Sequence, residues 1–472
     1  MSKLKIPRWS LLMALFLVSV LWLLLIRLRT PDAENGMNIP LVWAMLAGMI
    51  PYALSVALVL FTRAPEVRQR QVELIVIIGG GMLLRLLLVR SWPTLSRDVW
   101  TYLWDGHMLA HGYNPLRFAP GDPFLAHLRD GVYDQSRYRS SPGIYPIFAQ
   151  ALFWITSIIA PENLTVWKGL LILSDLVSML GLVWLLRKNR MDPARCVLYA
   201  WSPLPIIEFA QNGHLDGIVV MLVVLALCAQ QGNRPWQRVL VGVLLGLATW
   251  TKLYPALLVA ACLRKRDWRM PLVFLGTVFG FALLYRSLAG PGVLGAIFIY
   301  AAQVDNTNAG PLVLLLHQMQ GILPISPTII SRICMGTIAA SGLAVGIQTY
   351  RGKLSTVDGV AILCTVFFVC STHVFPWYLG VFLPLVALGL PRLPYLLLWW
   401  CSMFVVSQYL LVGSLHWEHY NWAMCIIPGV ILVEWCARRL RRQLQLRHVQ
   451  APTRPLEQQE QHLSPTASES PI

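Results

Sequence analysis

The chain alternates long apolar stretches with short polar ones. Apolar runs occupy residues 10–27, 40–61, 72–90, 166–186, 196–211, 214–230, 238–263, 270–287, 328–350, 356–390, 394–413 and 421–436. A helix needs roughly 18–20 such residues to cross a bilayer. The runs at 238–263 and 356–390 are long enough for helical hairpins. The pattern therefore predicts an all-α polytopic membrane protein, a bundle of about 11–14 transmembrane helices. Residues 145–160, "YPIFAQALFWITSIIA", are also apolar, but a crossing there would invert every later loop. They are expected to form a helix in the outer interface. The first run lacks a small-residue cleavage site and is followed by many more spans, so it is expected to stay in place rather than act as a cleaved signal.

Composition and charge add an orientation. The chain is 56% hydrophobic and 13% charged, against roughly 25% charged in soluble proteins. Its net charge of +16 is spread between spans, at Lys3/Lys5/Arg8, Arg63/Arg68/Arg70, Arg187/Lys188/Arg190/Arg195, Arg264/Lys265/Arg266/Arg269, Arg351/Lys353 and Arg438/Arg439/Arg441/Arg442. Positive residues favour the cytoplasmic side, which predicts cytoplasmic termini and external segments at 91–165, 211–214, 289–327 and 414–420. Four regions follow: N-terminal transmembrane helices (1–90), an external catalytic loop with interfacial helices (91–165), a transmembrane core (166–437), and a basic, then disordered, cytoplasmic tail (438–472). Scattered basic residues argue against a nucleic-acid partner; membrane lipids are the expected surroundings. There is no GxGxxG, Walker, CxxC or HExxH motif, and so no support for nucleotide or zinc chemistry. All nine cysteines lie in or beside apolar runs, as in a protein without disulfides.

Chemistry concentrates in "SRDVWTYLWDGHMLAHGYNPLRFAP", residues 96–120. A helix starting near Asp98 places Asp98, Tyr102, Asp105 and Leu109 on one face. Trp100, Trp104, His107 and His111 share the other, where the indoles suit a half-wet headgroup layer. Gly112 and Asn114-Pro115 then stop and turn the chain. Taken alone, Asp98 fits a helix-capping acid as well as a catalytic one. Three further segments raise the catalytic reading. "EFAQNGHLDG" (208–217) brings Glu208, His214 and Asp216 to membrane depth, where ionisable groups are costly. "GLATWTKLYPALLV" (246–259) interrupts an apolar run with Lys252, which fits either a phosphate contact or a structural pair with a carboxylate. "THVFPWYLG" (372–380) sets Trp377 and Tyr378 at an outer boundary as lipid-contacting rings. Asp175 lies inside a span and needs a partner that the sequence does not name.

In this order the segments resemble the GT-C superfamily of polytopic glycosyltransferases, nearest to glycosyltransferase family 87 and the bacterial α-(1→6)-mannopyranosyltransferases. Asp98, Tyr102, Gly106, Gly112 and Pro115 resemble that family's Asp-x-x-x-Tyr…Gly…Gly-x-x-Pro signature. "YRSSPGIYPIFAQ" (138–150), "NGHLDG", "TKLYP" and "FPWYLGVFLPL" resemble its later segments. Leu116 stands where the family usually has Tyr, and Ile147 where it usually has a second Pro. Three spans precede the acidic loop, where many GT-C enzymes have one.

The resemblance implies a GT-C-like bundle in the inner cell membrane. It also implies an inverting transfer of a hexose, mannose first, from a polyprenyl-phosphate-linked sugar to a hydroxyl of a glycan or glycolipid acceptor outside the membrane. In that reaction Asp98 is the expected base. Lys252, Arg139 and His214 are the expected cations at the leaving phosphate, and Tyr102, Asp105 and Asp216 are expected to position sugar hydroxyls. These cations can replace a metal, so no cofactor and no metal ligand is expected. The competing readings are a glycolipid transporter or flippase, which inverted repeats would favour, and a surface-polysaccharide ligase or polymerase. Neither an obvious repeat nor a large late external loop is present in the sequence.

Overall fold

The computed structural model describes residues 6–29, 39–63, 65–136, 138–289 and 309–388. The apolar runs expected at 394–413 and 421–436, and the tail, lie outside the described residues. The described residues form helices and connecting loops, without strands. They are the helices of a polytopic membrane protein: α1 (Arg8–Arg29), α2 (Ile39–Phe61) and α3 (Val67–Leu86), then α4 (Asp98–Ala110), α5 (Gly131–Gln135), α6 (Ile147–Ile159) and α7 (Leu164–Lys188). There follow α8 (Asp216–Gln230), α9 (Pro235–Thr249), α10 (Arg269–Ala289), α11 (Pro311–Met319), α12 (Pro327–Tyr350) and α13 (Thr356–Cys370). Four of these, α1, α7, α10 and α12, are long and apolar enough to cross a membrane by themselves. At 13 residues, α6 is too short to span, being about 20 Å long.

The remaining apolar runs break where the sequence forbids a continuous helix. The 238–263 run splits at Thr251–Leu253, just before Pro255, into α9 and a 3₁₀ segment at Tyr254–Cys262. The 356–390 run leaves α13 at Cys370 and resumes at Pro376, as a 3₁₀ turn and a short helix ending at Ala387. Pro203 and Pro205 fragment 196–211, which ends in a π-helical turn over Ile206–Gln211. Proline removes a donor and clashes with the preceding turn, so each break is local chemistry.

Two ends of the bundle follow from the contacts. At one end Arg8 donates to Glu73 at 2.5 and 2.7 Å and to Asp192 at 2.8 Å. The last turn of α8 meets Arg238, Arg264 and Thr356 there through Gln230. At the other end lie the first turn of α8, the start of α7 and the segment leading into α4: Trp167 Nε1 donates to the Gly213 carbonyl at 2.8 Å, and Leu95 N to Asn212 Oδ1 at 3.3 Å. Between the ends, the partner Asp175 needs is Arg85, whose Nε donates at 2.5 Å, together with the Tyr199 hydroxyl. All three side chains are fully enclosed. A buried carboxylate with a guanidinium and a phenol upon it is compensated, where a lone one would not be.

Candidate active site

α4 begins where the sequence places it. Arg97 is its N-cap and Asp98 its first residue; the Asp98 amide donates to Ser96 Oγ at 3.2 Å. Its carboxylate therefore sits in the favourable field of the helix start without itself being the cap. Gly112 closes the helix with φ +82°, a left-handed conformation that glycine adopts at little cost. The opposite wall is the 206–217 segment. Its π-helical turn ends at Asn212, and Gly213, at φ +80°, reverses the chain so that His214 N donates to the Glu208 carbonyl at 2.9 Å. A Cβ on Gly213 would stand 2.8 Å from Val99 of α4, so that glycine also sets how closely the two walls approach.

These walls bring the chemistry together. His214 is fully buried, with Nδ1 at 3.9 Å from Asp98 Oδ2 and Nε2 at 3.5 Å from Glu208 Oε2. Neither ring nitrogen makes a hydrogen bond. Trp377 stacks flat on the ring at 3.6 Å. Next to it, Lys252 Nζ donates to both Asp216 oxygens at 2.8 Å and lies 3.6 Å from the centre of the Tyr378 ring. Asp98 interacts electrostatically with Lys252 and with Tyr102. Of the three carboxylates here, Asp98 is the partly open one, its side chain 21% exposed against 3% for Asp216 and none for Glu208, and the Lys252 side chain beside them is 13% exposed. A cluster of this kind can accept a proton at a rim carboxylate and present positive charge beside it.

Residues 144–372 match the model of glycosyltransferase family 87. Over this stretch, just under half of its length, the chain is similar to that family. It is a membrane glycosyltransferase. No curated protein matches the chain. The matched stretch of the transferase contains Tyr145, His214, Asp216 and Lys252 and stops short of Asp98 and Trp377. The fold thus supplies what the match does not, a second wall from α4.

Other expected site residues are placed differently. Tyr102 and Asp105 share the α4 face with Asp98, but each is only 1% exposed. Tyr102 stacks on Phe153 at 4.9 Å within an aromatic box completed by Tyr145 and Trp167. Asp105 accepts from Gln150 Nε2 at 2.7 Å, and burial pushes its carboxyl up to about 7. Both support the helix and present no surface to a sugar. Asp216 is taken up by Lys252. Arg139 does not reach the cluster: its guanidinium donates to the Ser136 and Asp134 carbonyls and lies over Tyr133. Trp377 and Tyr378, expected at the lipid, turn inward onto His214 and Lys252, because the Pro376 turn folds that segment over the site. Trp104, expected half-wet, is fully enclosed and packs on His107 and Tyr133. Sequence reasoning overlooked Trp167 and Gln150. Each looks like an ordinary residue of an apolar helix, and only the fold brings it to α4 or to the Gly213 turn.

Proposed function

We propose that the protein transfers a hexose, with mannose as the first candidate, from a polyprenyl-phosphate donor to a hydroxyl of a glycan or glycolipid acceptor. The reaction takes place at the outer face of the inner cell membrane and inverts the anomeric carbon. The observation that carries this reading is the partly exposed Asp98 carboxylate beside a buried His214 and a Lys252–Asp216 pair. The cluster occupies the bundle end opposite the Arg8, Arg238 and Arg264 side chains, which the positive-inside tendency assigns to the cytoplasm. In the reaction the acceptor oxygen attacks the anomeric carbon, its proton passes to Asp98, and the carbon–oxygen bond to phosphate breaks. The lipid phosphate leaves with the electron pair, and Lys252 meets its charge, while the enclosed His214 ring, under Trp377, backs Asp98 rather than reaching the phosphate. Lys252 keeps one N–H beyond the two given to Asp216, enough for one charge-assisted contact. Asp216 and Tyr378 hold the ammonium in position. Discontinuous helices around such a site give backbone and side chains access to a polar headgroup at membrane depth.

A donor panel tests the proposal. The purified protein in lipid nanodiscs is given polyprenyl-phosphate mannose, glucose or arabinose, or GDP-mannose, with membrane glycolipids as acceptors. Transfer from a lipid-phosphate hexose and none from GDP-mannose is expected. Transfer from the nucleotide sugar alone would overturn the donor class.

A further inference from the structure

A second cluster of chemistry-bearing side chains lies at the far end of α4, on the face turned away from Asp98. His107 in the last turn of α4, Asp130 before α5 and Glu162 at the α6–α7 corner each offer one ligand atom, and all three atoms lie within 4.8 Å of one another. None of them takes part in the reaction proposed above. Nitrogen and oxygen ligands about 2.0–2.2 Å from one ion stand up to roughly 4.4 Å apart, so small side-chain movements would close the set around a cation.

Two polar atoms here lack partners. His107 is only 8% exposed, and its Nδ1 lies 3.1 Å from Glu162 Oε1 yet makes no hydrogen bond. Asp130 uses Oδ1 to cap α5, accepting from Val132 N and Tyr133 N at 2.9 Å. Its Oδ2 is buried without a partner. Unpaired buried polar atoms cost stability unless something satisfies them. The Glu162 backbone has φ +58°, so the chain keeps an acid at a corner where glycine or asparagine is more usual.

We propose that His107, Asp130 and Glu162 bind one divalent transition-metal ion, Zn²⁺ or Mn²⁺, which fastens the 111–130 loop and the α6–α7 corner to the end of α4. An imidazole with two carboxylates suits these ions better than the all-oxygen sets of calcium or magnesium. The ion would be structural. By fixing α4 it would hold Asp98 in register with His214, and the proposal does not depend on the identity of the donor.

The test uses the full-length protein in nanodiscs, stripped with EDTA, incubated separately with ZnCl₂, MnCl₂, CaCl₂ or MgCl₂ and passed over a desalting column. Bound metal is read by mass spectrometry and melting temperature by tryptophan fluorescence. Zn²⁺ or Mn²⁺ should remain at about one equivalent and raise the melting temperature by several degrees. Glu162→Gln and His107→Gln should each lose at least nine-tenths of that metal and the entire temperature shift. Glu162 is 38% exposed, so its variant should fold and keep the comparison valid. Cysteine-bound zinc would persist in both variants, and metal retained equally by parent and variants would overturn the site. No retained metal and no shift in the parent would overturn it as well.

Discussion

Replacing Lys252 by methionine separates two roles that coincide at one atom. The ammonium donates to both oxygens of Asp216, whose side chain is only 3% exposed. Removing it leaves a buried carboxylate with one strong partner fewer, a change that costs about 3–5 kcal/mol in comparable pairs. That loss corresponds to a fall of about 5–10 °C in melting temperature, at roughly 2 °C per kcal/mol for a large chain. Adding Asp216→Asn removes the stranded charge, so the double variant should recover more than half of the fall, a coupling of about 2–3 kcal/mol. Donor binding should behave differently. A charge-assisted contact to phosphate is worth about 1.5–3 kcal/mol, so both variants should bind polyprenyl-phosphate sugar about 10- to 100-fold more weakly than the parent. Heat-step chromatography in nanodiscs and equilibrium binding of a fluorescent donor supply the two readouts. A Lys252→Met variant as stable as the parent would refute the pairing argument, and a double variant with parental donor affinity would show that the phosphate is held elsewhere.

Asp105 carries a pH signature. Burial pushes its carboxyl up to about 7, against about 3.9 for an exposed aspartate, so between about pH 4 and 7 the folded state binds more protons than the unfolded one. Stability therefore falls as pH rises through that window and is flat above it. Asp105→Asn removes the dependence, and unfolding measured at pH 5 and pH 8 should find the variant gaining about 2–4 kcal/mol relative to the parent at the higher pH; equal differences at the two values would contradict the burial argument. Gly213→Ala combines a left-handed backbone, φ +80°, with a contact of 2.8 Å to Val99, and should cost about 2–4 kcal/mol in thermal unfolding, whereas a neutral result would mean the two walls are not tightly packed there. Topology is checked with single cysteines at Asp122 and Lys188 in a background lacking the native nine. An impermeant thiol reagent on intact cells should label the first and miss the second, and labelling at 188 would require α6 to cross the bilayer.

Local signals in the sequence were legible because they are local in physics. A helix start at Asp98 and its stop at Gly112 depend on a few neighbouring residues, and each stands where the pattern puts it. The grouping of Asp98, His214, Asp216, Lys252 and Trp377 was anticipated only as four segments at one side of the membrane. Specific pairings were not legible. Nothing near Asp175 names Arg85, 90 residues away, and nothing near Trp167 announces the Gly213 carbonyl. Arg139 was misjudged for the same reason: a basic residue beside an acidic motif looks available, but a turn of its own loop engages it through two carbonyls and a tyrosine face. Burial of Trp104 was missed because an amphipathic pattern does not distinguish lipid from α5, whose Tyr133 packs on the indole.

The central claim is that Asp98 receives the acceptor proton. Asp98→Asn keeps the size of the side chain at a position where the cap is Arg97 rather than Asp98, so folding should be nearly unaffected. The decisive measurement is single-turnover transfer from labelled polyprenyl-phosphate mannose by parent and variant in nanodiscs, with donor binding measured on the same samples. Unchanged donor affinity with transfer reduced by at least about 10²-fold is the predicted result. Transfer by Asp98→Asn within a few-fold of the parent rate would contradict it.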